Sequence, residues 1–185
     1  MRTGLLREDF KYTGTNEDSL FTGKTMALKC VRNSYAAFQF ILETDEPCTV
    51  CMTEEPAFTI YPERQVYRIA ASAGDLGTIC VQNVSLLPDD NGILRADIIE
   101  NRDYIHIEAG KPVVFWCEVP VGKDTEPGSY LGSIRIFSRK LFGSEKVVAE
   151  NTFTVEVADI TLPDPKEYKM QLDLWQHLSN IARKH

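Results

Sequence analysis

Thr152-Phe153-Thr154-Val155-Glu156-Val157 alternates polar and apolar residues without a break. A strand sends successive side chains to opposite faces, so the stretch predicts an apolar row of Phe153, Val155 and Val157 on one sheet face. The same period of two recurs upstream. Met26, Leu28 and Cys30 alternate with Ala27, Lys29 and Val31, and Phe38, Phe40 and Leu42 with Gln39, Ile41 and Glu43. Further candidate strands are Cys48–Thr53, Val66–Ala71, Thr78–Leu87, Gly92–Glu100, Val113–Val121, Tyr130–Ser138 and Glu145–Ala149. About ten short strands separated by Gly, Pro, Asn and Asp clusters predict an all-β fold. The expected architecture is a two-sheet antiparallel β-sandwich, immunoglobulin-like or jelly-roll-like. Between residues 20 and 160 no helix of three turns is expected.

Two connections carry turn chemistry. Pro88-Asp89-Asp90-Asn91-Gly92 joins two apolar runs, and Asn-Gly supplies the positive φ angles of a tight hairpin. Gly122–Gly128 joins Val113–Val121 to Tyr130–Ser138, with Pro127 fixing φ and Gly128 suited to the left-handed position of a type II turn. Tyr130 is expected to cap one end of the core. Gly132 is expected to let a neighbouring side chain approach its strand, and Gln39 to satisfy backbone groups at a sheet edge.

At Thr161-Leu162-Pro163-Asp164-Pro165 two prolines within three residues end the paired strands. The sequence divides into an N-terminal extension at 1–19, a sandwich at 20–160, a linker at 161–169 and a last segment at 170–185. That segment has two readings. Met170, Leu172 and Leu174 alternate like a strand, and Leu178, Ile181 and Ala182 follow at helical spacing, which together make the start of a β/α unit of a second domain. The other reading is one amphipathic helix from Asp173 to Lys184, with Leu174, Leu178 and Ile181 as its stripe. For the 185-residue chain the helix is favoured; for a longer parent protein, the β/α start.

Composition excludes several classes of function. The chain has 185 residues, 43% hydrophobic and 25% charged, with a net charge of −7. That apolar content supports a real core and excludes disorder, and no stretch reaches the ~20 apolar residues of a membrane span. An acidic chain without a basic stripe does not neutralise phosphates, so neither nucleic acid nor membrane is an expected partner. The N-terminus has no apolar signal region, and five irregularly spaced cysteines suit a reducing compartment, so the cytoplasm is expected.

Catalytic and metal signatures are weak. Cys48-Thr49-Val50-Cys51 has no second pair, and on a strand its two thiols point to opposite faces, so strand packing is expected and no metal or cofactor. His106 lies in the alternating run Tyr104–Glu108 and is expected at a rim; His177 and His185 have no nucleophile partner in sequence. Asp45-Glu46, Glu54-Glu55 and Asp89-Asp90 sit in turn-like segments and read as solvated loops, not as a glycosidase acid pair or a calcium loop. Asn83-Val84-Ser85 is a glycosylation sequon, without use in the cytoplasm. Trp116, Tyr61, Tyr67 and Tyr104 are aromatics that either pack in the core or stack on a sugar ring.

Several of these segments, in order, resemble one known family. Asn33–Phe40, Ala109–Val121, Pro127-Gly128-Ser129-Tyr130-Leu131-Gly132, Thr161–Asp164 and Leu172-Asp173-Leu174-Trp175-Gln176-His177 are similar to motifs of glycoside hydrolase family 123-like proteins, including the uncharacterised group numbered 4091. The resemblance runs from about residue 20 to residue 185. It implies a non-catalytic N-terminal sandwich that packs against and orients a (β/α)₈ glycosidase-like barrel. The family's acidic pair, used with the substrate's own acetamido group, belongs to that barrel and has no counterpart here. The resemblance carries over Asp173, Trp175, Gln176 and His177 as contributors to a sugar pocket; Trp116 is a stacking candidate on the sandwich itself. The chain itself is therefore not expected to be an enzyme. Its expected partners are the barrel of a parent protein and a carbohydrate. A carbohydrate-binding module and an immunoglobulin-like interaction domain are the alternatives.

Overall fold

Phe153, Val155 and Val157 are buried, and Glu156 between them is exposed. The computed structural model describes residues 1–53, 65–139 and 145–169. The expected segment 170–185, strand or helix, lies outside them.

Two sheets face each other across the core. Sheet A orders its strands β1 (Arg2–Arg7), β3 (Ser34–Glu43), β9 (Val113–Val121), β6 (Cys80–Pro88) and β7 (Leu94–Glu100). Sheet B orders β2 (Thr25–Arg32), β11 (Lys146–Thr161), β10 (Gly128–Arg139), β5 (Val66–Ser72), β4 (Cys48–Cys51) and β8 (Tyr104–Ile107). The fold is the expected all-β sandwich, and its only helical turns among the described residues are 3₁₀ segments. None of the described helices is long and apolar enough to cross a membrane.

Three differences from the sequence expectation have physical causes. Sheet A is antiparallel, but in sheet B the β2–β11 and β4–β5 pairs are parallel. Parallel neighbours require a long connection, and both pairs have one, so alternation alone did not reveal them. Residues 145–149 and 152–157, read as two strands, run as the single long β11, because the polar Glu150-Asn151 between them stays in the ladder opposite Arg135 and Ile134. Residues 2–7, ahead of the expected start of the sandwich, form β1 and pair with β3.

The core is built from the alternating rows. Phe38, Phe40, Phe115, Ile134, Ile136, Phe153 and Val155 are all buried between the sheets. The Phe38 and Phe153 rings lie 4.9 Å apart, and Gly132 makes room for Phe153 directly across the β10–β11 ladder. The expected close approach at Gly132 is therefore present. The Tyr130 hydroxyl donates to the Glu126 carbonyl at 2.6 Å, tying the turn before β10 to its first residues. Gly128 takes φ 158°, nearly extended, where a type II turn needs about +80°. The chain reverses earlier, at Gly122–Thr125, where the Thr125 N–H meets the Gly122 carbonyl at 3.3 Å.

The second apolar cluster lies on the outer face of sheet A. After β1 the chain crosses that face as a strap, placing Tyr12, Leu20 and Phe21 over Ile41 and Val114. This is why Ile41, on the mixed row of its strand, is fully buried. Gln39 holds the start of the strap by donating its Nε2 to the carbonyls of Arg7, Glu8 and Phe10, the last at 2.7 Å. Its expected service to backbone groups is thus directed at the strap.

The exit from the sandwich is pinned. Asn33 turns the β2–β3 connection with φ 58° and donates its side-chain amide to the Leu162 carbonyl at 2.9 Å. The Leu162 N–H returns to the Arg32 carbonyl at 3.0 Å, and Glu167 accepts from the Asp164 N–H at 3.0 Å.

Candidate functional site

Each sequence candidate has a definite place or lies outside the description. Asp173, Trp175, Gln176 and His177 fall outside the described residues, as do Tyr61, Glu54, Glu55 and His185. Trp116 sits on the outer face of β9, half-buried between Gln39 and Gln82 of the neighbouring strands. Its indole N–H donates to Glu118 at 2.8 Å, which orients the ring against its own strand.

Cys48 and Cys51 are both buried; Cys48 belongs to the inter-sheet core and Cys51 lies in the other row of β4. Cys80 is exposed at the start of β6. Among the described residues no group of His, Cys, Asp or Glu is placed to hold a metal ion. Asp45 meets the Met1 amino group.

Asp89 caps the β6–β7 hairpin. Its carboxylate accepts from the N–H groups of Asn91 and Ile93 at 2.8 and 3.0 Å and from Arg95 at 3.1 Å. Those backbone bonds hold its pKa below the ordinary aspartate value. Only Gly92 takes positive φ, 75°, and the Gly92 N–H closes on the Asp89 carbonyl at 2.8 Å. The loop is thus a turn followed by a left-handed glycine, and not the two-residue Asn-Gly hairpin that the sequence suggested.

The functional geometry the sequence did not announce is a cleft beside β6. The ladder between β6 and β9 ends at Val84 opposite Val114, while β6 runs on beside β7 to Pro88. Where β9 begins and β6 continues, sheet A has a notch. Tyr12 of the strap and Pro112 stand on one side of it and β8 on the other, enclosing a cleft of about 860 Å³. Tyr12 is buried, its hydroxyl donates to the Pro112 carbonyl at 3.5 Å, and burial pushes its phenol up to about 12.

The polar wall of the cleft is a single network. Glu100 Oε2 accepts from Ser85 Oγ at 2.5 Å and from Asn83 Nδ2 at 3.1 Å. Arg102 completes it, with Nη2 at 3.0 Å from Oε1 and Nε at 2.9 Å from Oε2. The guanidinium first, then the serine and asparagine donors, hold the Glu100 carboxyl down to about 2 against the opposing effect of burial. Beyond the network, Tyr104 and His106 meet edge to face at 5.5 Å, and His106 Nδ1 lies 3.0 Å from Thr49 Oγ1. His106 is exposed, as its rim position implied. Asn83, the sequon residue, is 8% exposed with its amide committed to this network, so it is not presented for glycosylation.

A signal for the cleft was present in the sequence. The inward row that starts at Ile79, just before β6, and continues at Val81 turns polar at Asn83 and Ser85, a break in an otherwise apolar core row.

The network sets a pH dependence. A carboxyl held near 2 in the fold against an ordinary 4.5 contributes stability that is complete above about pH 4.5 and lost as pH falls towards 2. Urea unfolding at pH 7 and pH 2.5 is expected to show Glu100→Gln less stable than the parent at pH 7, with the gap largely closed at pH 2.5. A gap that persists at pH 2.5 contradicts the linkage.

Over 98% of its length the chain superposes on part of a family 123 glycoside hydrolase from Clostridium perfringens, an enzyme described in terms of glycolipid glycan hydrolysis, with a TM-score of 0.66 and 19% identity. The chain folds like part of a glycoside hydrolase. It spans 31% of that enzyme's chain. Weaker likenesses are to WR4, an MSP family member of C. elegans, with a TM-score of 0.33, 8% identity, 73% of this chain and 93% of that one, and to the CooA pilin subunit of enterotoxigenic Escherichia coli, with a TM-score of 0.32, 15% identity, 86% of this chain and 99% of that one. No protein-family model and no curated protein matches the sequence.

Proposed function

We propose that the chain is a non-catalytic accessory sandwich that packs against and orients a glycosidase-like barrel. The observation that carries this reading is the fold likeness: nearly the whole chain corresponds to less than a third of a much larger glycoside hydrolase. The pinned exit supports it. A domain that orients its neighbour needs a stiff joint, and the hydrogen bonds from the Asn33 amide to the Leu162 carbonyl and from the Leu162 N–H to the Arg32 carbonyl make one. Separately from that reading, we place the protein in a reducing compartment, which its five free cysteines suit. On the accessory reading Asp173, Trp175, Gln176 and His177 belong to the barrel side of the joint.

A second reading, a protein-interaction domain, draws on the β6–β7 hairpin, where Leu87, Ile93, Leu94, Ile98 and Ile99 are each more than two-fifths exposed. They are divided between the two faces of this edge hairpin, and apolar exposure at a sheet edge suits a contact surface. Either a packed barrel or an independent partner would cover it.

Two measurements test the accessory role. The purified chain is expected to show no turnover of aryl aminosugar glycosides above the buffer blank. The coding sequence is expected to continue past residue 185 into several βα repeats. Turnover by these 185 residues, or a coding sequence that stops there, overturns the proposal.

A further inference from the structure

The outermost strand of a sheet presents a row of backbone N–H and C=O groups on which a further strand can pair. Sheet A ends in β1 and β7, and sheet B in β2 and β8. Three of these edges are blunted. β1 is flanked by the returning strap, with the Leu5 N–H on the Gly23 carbonyl at 2.8 Å. β7 is bulged at Asp97, since Ser85 faces Ile98 and Leu86 faces Ala96. It also carries Arg95, Asp97 and Glu100, and its Ala96 N–H is taken by the Tyr12 carbonyl. β8 is only four residues long.

β2 has none of these devices among the described residues. It runs for 8 residues without Gly or Pro, and its register with β11 is unbroken from Thr25 to Val31. Two bonds give the direction of its free groups. The Thr152 N–H donates to the Lys24 carbonyl at 3.1 Å, and the Leu162 N–H to the Arg32 carbonyl at 3.0 Å. Backbone groups alternate sides along a strand, so the even-numbered residues face β11. Thr25, Ala27, Lys29 and Val31 therefore turn their N–H and C=O groups to the open edge. Among the described residues no backbone hydrogen bond reaches them from that side. The inward row of the strand, Met26, Leu28 and Cys30, is only half-buried at the rim of the core.

We propose that β2 pairs antiparallel with β2 of a second copy of this chain, joining two B sheets across a two-fold axis at Leu28. One register engages every open residue: Ala27 opposite Lys29, and Thr25 opposite Val31, of the second copy. Paired residues share a sheet face. On the inward face Leu28 meets Leu28 of the second copy at a close, non-hydrogen-bonded position. Met26 lies against the second copy's Cys30, so the two half-buried rows cover each other. On the outer face Lys29, the one charge of the strand before Arg32, meets alanine. The register one step to one side sets Lys29 against Lys29, and one step to the other leaves Val31 without a partner. This match of the strand with itself is what selects a second copy as the occupant. The pairing goes beyond the accessory reading and does not rest on it.

The test is sedimentation equilibrium of the chain over about 1–500 μM. It is expected to show a monomer–dimer equilibrium with a Kd of roughly 1–100 μM, as suits a contact made by one strand pair. Ala27→Pro removes an N–H that only the dimer uses, at an exposed edge position where proline is tolerated. It is expected to abolish the dimer and leave the melting temperature of the dilute protein unchanged. Two charge variants read the register without relying on proline. Ala27→Glu, opposite Lys29 of the second copy, is expected to tighten the dimer about threefold or more, and Ala27→Lys to weaken it by a similar factor. A chain monomeric to the top of the range, a dimer that survives Ala27→Pro, or charge variants that move Kd in the same direction overturns the assignment.

Discussion

Gly132→Ala is expected to destabilise the sandwich by about 3 kcal/mol, the upper end of what overpacking costs in a core. An ideal Cβ at Gly132 falls 2.2 Å from Phe153 Cζ, 2.4 Å from Cε2 and 2.8 Å from Cε1. The ring cannot simply swing aside. Phe153 is 1% exposed and packs on Phe38, itself fully buried, at a centroid distance of 4.9 Å. Interiors are close-packed, so a displaced ring displaces its neighbours in turn. The backbone argues in the opposite direction, since alanine in a strand interior gains roughly 0.5–1 kcal/mol over glycine. Gly132 is not among the glycines with positive φ, so that gain is available and the steric term must exceed it. Urea unfolding measures the balance. In the double variant Gly132→Ala/Phe153→Leu the smaller side chain is expected to recover part of the loss, giving a non-additive cycle. A single variant as stable as the parent means that Phe153 does not need the glycine.

Gly4→Ala is expected to release the strap. Here the obstacle is main chain: the added Cβ falls 2.1 Å from the Leu20 carbonyl oxygen and 3.1 Å from Phe21 Cα. A side chain can rotate, but a backbone carbonyl moves only if its segment lifts. Lifting exposes Leu20 and Phe21, at ~1.5–3 kcal/mol for each large apolar side chain returned to water. The expected loss is about 3 kcal/mol, with a local signature. Amide hydrogen exchange should accelerate at Ala96, whose N–H donates to the Tyr12 carbonyl, and at Leu5, whose N–H donates to Gly23. Amides of β10 and β11 should stay protected, because their core does not include the strap. Unchanged exchange at Ala96 rules out the close approach as what seats the strap.

These two glycines also separate what was readable in advance from what was not. The role of Gly132 followed from its place in an alternating run next to a turn, where a missing side chain invites a neighbour. Gly4 lies in a segment with no such frame, and only the crossing of Leu20 above it gives it a task. The same division runs through the candidate site. The polar break at Asn83 and Ser85 is visible in the row of β6, but nothing local says that Glu100 and Arg102 face it across a hairpin, or that β9 begins too late to cover it.

Alternation settled that Phe38 and Phe153 would sit on apolar rows of their strands, because side-chain direction on a strand is a property of neighbouring residues; which row of β9 faces inward, that of Phe115 or that of Trp116, was decided by the tertiary structure. Strand partners are a property of distant residues. The parallel seating of β2 on β11, the recruitment of Arg2–Arg7 as an edge strand and the passage of Tyr12 over Ile41 all depend on which apolar faces remain uncovered once the core has closed. Burial energy is non-directional and long-range in sequence, so it leaves no period in the chain for those choices.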